Sequence, residues 1–249
     1  MSAAPDARAA EGLGLPCVCL YYRIGESGTL QRAQVSLTGR GGLMGVFEGA
    51  GLIAAQPEKL ARDMQAECAR RGFSGVVLDF VPEEEAALSA LERLCAGLRR
   101  LQVPVWVPEA LADRAGEGSL VIAPAAVSGG SFSDLLDALA ERYGSERLCL
   151  DLVRCCSDFP MPSPDPDGTP LSPAAFRELQ EQYRPQSFFS PQLCCKYFTY
   201  RKPDGSAHFV LFDDLHTAGQ KLAAIRERGI GFVFLLSSEW GAEAKTLLK

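Results

Sequence analysis

The run Gly72-Phe73-Ser74-Gly75-Val76-Val77-Leu78-Asp79-Phe80-Val81-Pro82-Glu83 decides how the rest of the chain is read. It is apolar and β-branched at its centre, enters through glycine and closes on proline. A strand buried on both faces has this composition, and such strands build parallel sheets. A lone carboxylate, Asp79, stands near its C-terminal end, and a helical pattern starts directly afterwards. In barrels of parallel strands, binding and catalytic groups collect at that end. The stretch therefore predicts both an architecture and the place of a site.

The flanking sequence repeats the same alternation. Upstream, over residues 57–71, Leu60, Met64 and Cys68 recur four residues apart among Lys59, Arg62, Asp63 and Glu67. This is an amphipathic helix with proline in its first turn. Downstream, a helix is expected over 83–101, with Leu88, Leu91, Leu94, Cys95, Leu98 and Leu101 on its inner face. Glu83, Glu84 and Glu85 fall in its first turn, where the helix dipole favours carboxylates.

Further strands are expected at 16–23, 43–47, 104–107, 119–123, 147–153 and 231–236, with a short extended piece at 34–37. Ser131 and Asp214 have the residue type and position of helix caps, the second for a helix through Arg228, and Ser172-Pro173 opens another helix. Residues 159–170, crowded with proline, aspartate and glycine, read as a loop. The segments 196–201 and 208–212 flank Pro203-Asp204-Gly205 and form a β-hairpin.

The fold class is therefore α/β: a single TIM-type (β/α) barrel over residues 15–249, some helices reduced to loops, with a β-hairpin insertion at 196–212. A doubly wound open sheet is the competing architecture. It would place a glycine-rich phosphate loop after the first strand, and none follows 16–23.

Composition narrows the function classes. A chain of 249 residues, 47% of them hydrophobic, can bury a sizeable core. A net charge of −6, with arginines scattered among acids, argues against a nucleic-acid partner. No apolar run reaches membrane-spanning length. Residues 1–14 are Ala-rich with Asp6, Arg8 and Glu11, and read as a flexible leader rather than a secretion signal. The nine cysteines are an odd number and mostly lie in apolar runs. They are expected as reduced, buried thiols of a cytosol-like compartment.

Cys17-x-Cys19, Cys155-Cys156 and Cys194-Cys195 lack the Cys-x2-Cys spacing of structural zinc sites, so neither metal nor cofactor is expected. Cys155, Cys156, Cys194 and Cys195 can still meet at one rim as a thiol site or disulfide. His208, in the hairpin, and His216, at a helix start, are expected at the surface. Asp213-Asp214 is read as a helix cap in preference to a cation site. Glu48 and Glu109 each follow a strand and can face the same mouth as Asp79. Tyr21, Trp106 and Tyr200 are candidate stacking platforms for sugar rings, although most such aromatics pack cores.

Three stretches together resemble a known family: residues 72–83, the hairpin 196–212, and Phe212-Asp213-Asp214-Leu215-His216-Thr217 through Gly229-Ile230-Gly231-Phe232-Val233. They look like glycoside hydrolase family 18, in the flavour of small barrels acting on bacterial spore cortex and cell wall. The likeness covers roughly the last two-thirds of the chain. It implies a substrate-assisted mechanism, an exception to the usual pair of enzymic carboxylates.

The family's strand motif is Asp-Gly-x-Asp-x-Asp-x-Glu, in which the glutamate protonates the leaving oxygen and the last aspartate orients the N-acetyl group. Laid on Ser74-Gly75-Val76-Val77-Leu78-Asp79-Phe80-Val81, it retains only Gly75 and Asp79, and Val81 stands at the acid position. The family's tryptophan at the last strand aligns with Leu236, and no Met-x-Tyr-Asp pattern occurs around 119–125.

A valine donates no proton. Glu83, two residues on, is displaced by roughly 6–7 Å along an extended chain, beyond the roughly 2.6–3.2 Å reach of a general acid unless the loop takes another path. The resemblance thus implies a non-hydrolytic or strongly impaired protein that binds an amino-sugar polymer or peptidoglycan fragment, or serves as a scaffold. Its setting would be cytoplasmic or spore-associated. The alternative is a working glycosidase on N-acetylated glycans, with Glu83, Glu48 or Glu109 as a relocated acid.

Overall fold

A computed structural model describes residues 16–33, 41–127, 129–162, 165 and 167–247. The expected leader at 1–14 and the extended piece at 34–37 lie outside the described residues. In chain order the strands and helices run β1 (Val18–Ile24), β2 (Leu30–Arg32), β3 (Leu43–Glu48), α1 (Pro57–Arg71), β4 (Val76–Leu78), α2 (Glu85–Arg100), β5 (Val105–Pro108), α3 (Ala112–Ala115) and β6 (Leu120–Pro124). There follow α4 (Phe132–Tyr143), β7 (Leu148–Asp151), β8 (Cys156–Met161), β9 (Thr169–Pro170), α5 (Pro173–Tyr183) and β10 (Phe188–Ser190). The chain continues with β11 (Cys195–Arg201), β12 (Ala207–Phe212), α6 (Leu215–Glu227), β13 (Phe232–Phe234), α7 (Ser237–Trp240) and α8 (Ala244–Leu247).

The strands assemble into an eight-stranded sheet, ordered β13-β7-β6-β5-β4-β3-β1-β2, and a five-stranded sheet, ordered β10-β11-β12-β8-β9. The first has the strand-helix alternation of a barrel of the (β/α) type with reduced helices, and β2 and β13 are its end strands. The second contains the expected hairpin. The chain forms two compact units, one reaching Ala123 and including Arg147–Cys149, the other holding the remainder.

In the first unit, β1 pairs parallel with β3, β3 with β4, β4 with β5 and β5 with β6, while β2 returns antiparallel along β1. Every residue of β4 is buried, as its uninterrupted apolar run requires. The core joins Met44, Val46, Val76, Leu78, Val105 and Val107 of the strands to Leu60, Met64 and Cys68 of α1 and Leu91, Leu94 and Leu98 of α2. These helical residues are the apolar stripes read from the sequence. Gly72 ends α1 at φ 75°, a left-handed conformation that favours glycine, and its N–H donates to Cys68 O. The chain is thereby turned directly into β4.

In the second unit, β11 and β12 pair antiparallel from Lys196↔Phe212 to Arg201↔Ala207, and Gly205 takes φ 88° in the connecting turn. Alternation sends Phe198, Tyr200, Val210 and Phe212 to one face, where Phe176, Leu179 and Tyr183 of α5 cover them. Asp214 caps α6 as expected: its carboxylate accepts from the N–H groups of His216 and Thr217, both at 3.0 Å.

Two expectations need correction. Residues 159–170 are not a loop throughout, because β8 extends to Met161 and pairs antiparallel with β12. The prolines that suggested a loop sit at Pro160, opposite His208, and just beyond Met161. His208 is accordingly not a surface residue: it is 6% exposed, enclosed by the strand that pairs with its own.

Candidate functional site

Asp79 follows β4 directly. Its backbone N–H donates to Val46 O of β3 at 2.8 Å, which holds it at the C-terminal ends of two neighbouring parallel strands. Its side chain is exposed, and among the described residues none makes a hydrogen bond or ion pair with its carboxylate. The surrounding protein still removes part of its solvent, which raises its pKa above the ordinary 3.8.

Beyond Asp79, the Phe80 ring lies over Gly49, at the end of β3. A Cβ on Gly49 would lie 2.4 Å from that ring, so the approach requires glycine. Gly49, Ala50, Ile53, Phe80, Val81 and Glu83 line a cleft of about 310 Å³. Val81 is 54% exposed there, a large share for an aliphatic side chain beside a buried strand. The cleft thus places an inert side chain and a carboxylate, that of Glu83, on one wall.

A second cleft, of about 520 Å³, opens beyond β1 and β3. It is lined by Arg23, Gly25, Glu26, Gln31, Glu48 and Ala50, and Ala50 is common to both clefts. Glu48 lies 3.8 Å from Arg23 in a half-exposed ion pair. Glu109 begins a short 3₁₀ turn after β5. Tyr21 and Trp106 are buried in the first unit, at 4% and 5% exposure.

Tyr200 lies in the five-stranded sheet. It too is buried, its hydroxyl donating to Asp158 Oδ2 at 2.9 Å while its ring stacks on His208 at 4.9 Å. His208 Nδ1 approaches the same carboxylate at 3.0 Å, and its Nε2 meets Ser206 Oγ at 3.3 Å. Asp158 stands directly before the proline-rich stretch 159–170 read as a loop, which hid its place on a strand.

A second buried polar group surrounds Asp213. Lys221 Nζ donates to Asp213 Oδ2 at 2.7 Å, Thr217 Oγ1 to Oδ1 at 2.8 Å, and the Cys155 N–H to Oδ2 at 3.0 Å. Asp213 therefore does not share the capping role of Asp214. The signal for its partner was present: Lys221 falls on the apolar stripe of Ala218, Leu222 and Ile225, where a lysine needs a buried acid. Among the described residues no three His, Cys, Asp or Glu side chains are placed to hold a metal ion. No helix among them is long and apolar enough to cross a membrane.

Neither a protein-family model nor a curated sequence matches the chain. Solved structures do. The spore cortex-lytic enzyme SleL of Bacillus megaterium QM B1551 matches with a TM-score of 0.66 at 16% identity, over 93% of this chain and 66% of that one. SleL of Bacillus cereus gives 0.68 at 14% identity, over 95% of this chain and 67% of the other. A mutant class V chitinase of Nicotiana tobaccum, in complex with NAG4, gives 0.61 at 13% identity, over 93% and 90%. This chain spans 66% of the length of the first SleL. At such identities the likeness is one of fold, and the fold is that of the glycoside hydrolase family 18-type barrels.

Proposed function

We propose that this chain is a non-hydrolytic, or strongly impaired, glycoside hydrolase family 18-like protein that binds an amino-sugar polymer or peptidoglycan fragment at the mouth beyond β3 and β4. The observation that carries this reading is Val81. In the resemblance it falls at the position of the family's proton donor; it lines an open cleft and has no exchangeable proton. Asp79 would contact the ligand's amide, since its carboxylate is open to solvent and unclaimed by described neighbours. Support for the ligand class comes from the cortex-lytic and chitinase names of proteins with this fold. A spore-associated setting accords with the first two names, with a cytoplasmic one as the alternative.

A second reading rests on Glu83, which lines the same cleft as Val81. If the cleft binds glycan with the scissile oxygen near Glu83, a relocated acid restores hydrolysis.

Titration calorimetry with cortex peptidoglycan fragments and chitin oligomers, followed by chromatography of the products, separates the two. The first reading expects binding that Asp79→Ala weakens, with the oligomers recovered intact. Hydrolysis that Glu83→Gln abolishes would establish the second. Absence of binding to either glycan would overturn both.

A further inference from the structure

The ladders of the five-stranded sheet bring two cysteines to either side of one aspartate. Phe212 pairs with Cys156 of β8 on one side and with Lys196 of β11 on the other. One residue further, Asp213 is flanked by Cys155 and Cys195, all three on the same face by alternation. The contacts agree: Cys195 Sγ donates to Asp213 Oδ1 at 3.3 Å, and the Asp213 N–H donates to Cys155 O at 2.8 Å. The two thiols also interact with each other.

From these placements we propose that Cys155 and Cys195 form a dithiol site that reacts with hydroperoxides, Cys155 being oxidised first and Cys195 closing a disulfide onto it.

Access assigns the order. Cys155 is partly exposed, whereas Cys195 is fully buried, so an oxidant reaches Cys155 first. Chemistry agrees with access. The neighbouring Cys195 thiol draws the Cys155 pKa below the ordinary 9.0, against burial and the Asp213 carboxylate, and the Lys221 ammonium acts in the same direction as Cys195. Four other thiols, Cys194 among them, are raised by burial. Burial pushes Cys156 up to about 11, Cys68 to about 11 and Cys95 to about 12. Cys156 also points to the opposite face, against the cluster under α5.

In the first step the Cys155 thiolate attacks the terminal oxygen of the hydroperoxide. The O–O bond breaks, the alkoxide leaves and takes a proton as alcohol, and Cys155 becomes a sulfenic acid. In the second, the Cys195 sulfur attacks the Cys155 sulfur. The S–O bond breaks, and the oxygen leaves as water with the Cys195 proton. Two thiols lose two electrons, and the peroxide is reduced to alcohol and water.

A disulfide requires closer Cα atoms than strands two apart ordinarily allow. Here both cysteines stand at strand ends, Cys155 before β8 and Cys195 as the first residue of β11; the Cys155 backbone is held to Asp213 by two hydrogen bonds, so the shift that closes the bridge falls to Cys195. Asp213 retains its bonds to Lys221 and Thr217 when Cys195 turns away from it.

The test uses the reduced, full-length chain treated with hydrogen peroxide, alkylated and digested with trypsin. The expected product is one cross-link, with loss of two hydrogens, between the peptide holding Cys155-Cys156 and that holding Cys194-Cys195. It should persist in Cys156→Ser and Cys194→Ser and be lost in Cys155→Ser and Cys195→Ser. In Cys195→Ser, dimedone should trap a sulfenic acid on Cys155. The unmodified chain needs no variant to fold: a peroxide-treated protein in which Cys155 remains a free thiol overturns the proposal. A bridge through Cys156 or Cys194, or first oxidation at any other cysteine, overturns it equally.

Discussion

Lys221 Nζ sits 2.7 Å from Asp213 Oδ2, with both groups sealed from solvent at the junction of β12 and α6. Removing one member of such a pair leaves an uncompensated charge in the interior. Lys221→Met is therefore expected to destabilise the fold by about 3–5 kcal/mol. Replacing both residues together, as Lys221→Met with Asp213→Leu, should cost less than the sum of the single changes. Urea denaturation of the four proteins measures the coupling.

A buried tyrosine and glutamate set an acid limit to stability. Tyr22 donates to Glu67 Oε1 at 2.6 Å, and Arg70 Nε donates to Oε2 at 2.8 Å. Burial acts to raise the Glu67 pKa, but the Tyr22 hydroxyl and the Arg70 guanidinium outweigh it and hold the pKa below the ordinary 4.5. With the folded value depressed, the stabilisation is complete above 4.5 and disappears as pH falls through the folded value. Glu67→Gln is expected to be less stable at pH 7 by about 1–3 kcal/mol and to show a flatter acid limb in denaturation followed against pH.

Asp79 has the opposite sign. Its pKa is raised in the folded protein by partial burial, so its ionisation opposes folding as pH rises from 3.8 through the folded value. Asp79→Asn should consequently be slightly more stable than the parent at pH 7. The gain should stay below about 1 kcal/mol, because an open carboxylate is screened by solvent. A stabilising change that weakens glycan binding would mark a residue kept for its ligand rather than for folding.

Leu78 and Val81 are three residues apart and energetically unlike. Leu78 has no exposure, and Leu78→Ala should cost about 2–5 kcal/mol. Val81 is 54% exposed, and Val81→Glu should stay within about 0.5 kcal/mol of the parent. Thermal melts followed by circular dichroism check both. Under the proposed function, Val81→Glu also places a carboxylic acid where the resemblance expects the proton donor, without disturbing the core.

Much of the barrel was legible from periodicity. Leu60, Met64 and Cys68 announced α1, and Leu91, Leu94 and Leu98 announced α2, because a stripe repeating every three to four residues has one economical use. Asp204-Gly205 announced the hairpin. The strand β8 stayed hidden because Pro160 and its neighbours carry turn chemistry, and only pairing with β12 makes them a strand. His208 was misplaced for the same reason.

The sequence by itself determined the strand-helix alternation, the helix cap at Asp214 and the valine, Val81, at the position where the resemblance expects a proton donor. Each is a local property, set by residue type and spacing along the chain. Tertiary structure alone decided that Asp213 faces Lys221, that Asp158 serves both His208 and Tyr200, and that Cys155 and Cys195 flank one carboxylate. Lys221 meets Asp213 across the turn from β12 into α6, eight residues away; the other meetings depend on ladder register between distant segments, where a shift of one residue would send the strand side chains to the opposite face.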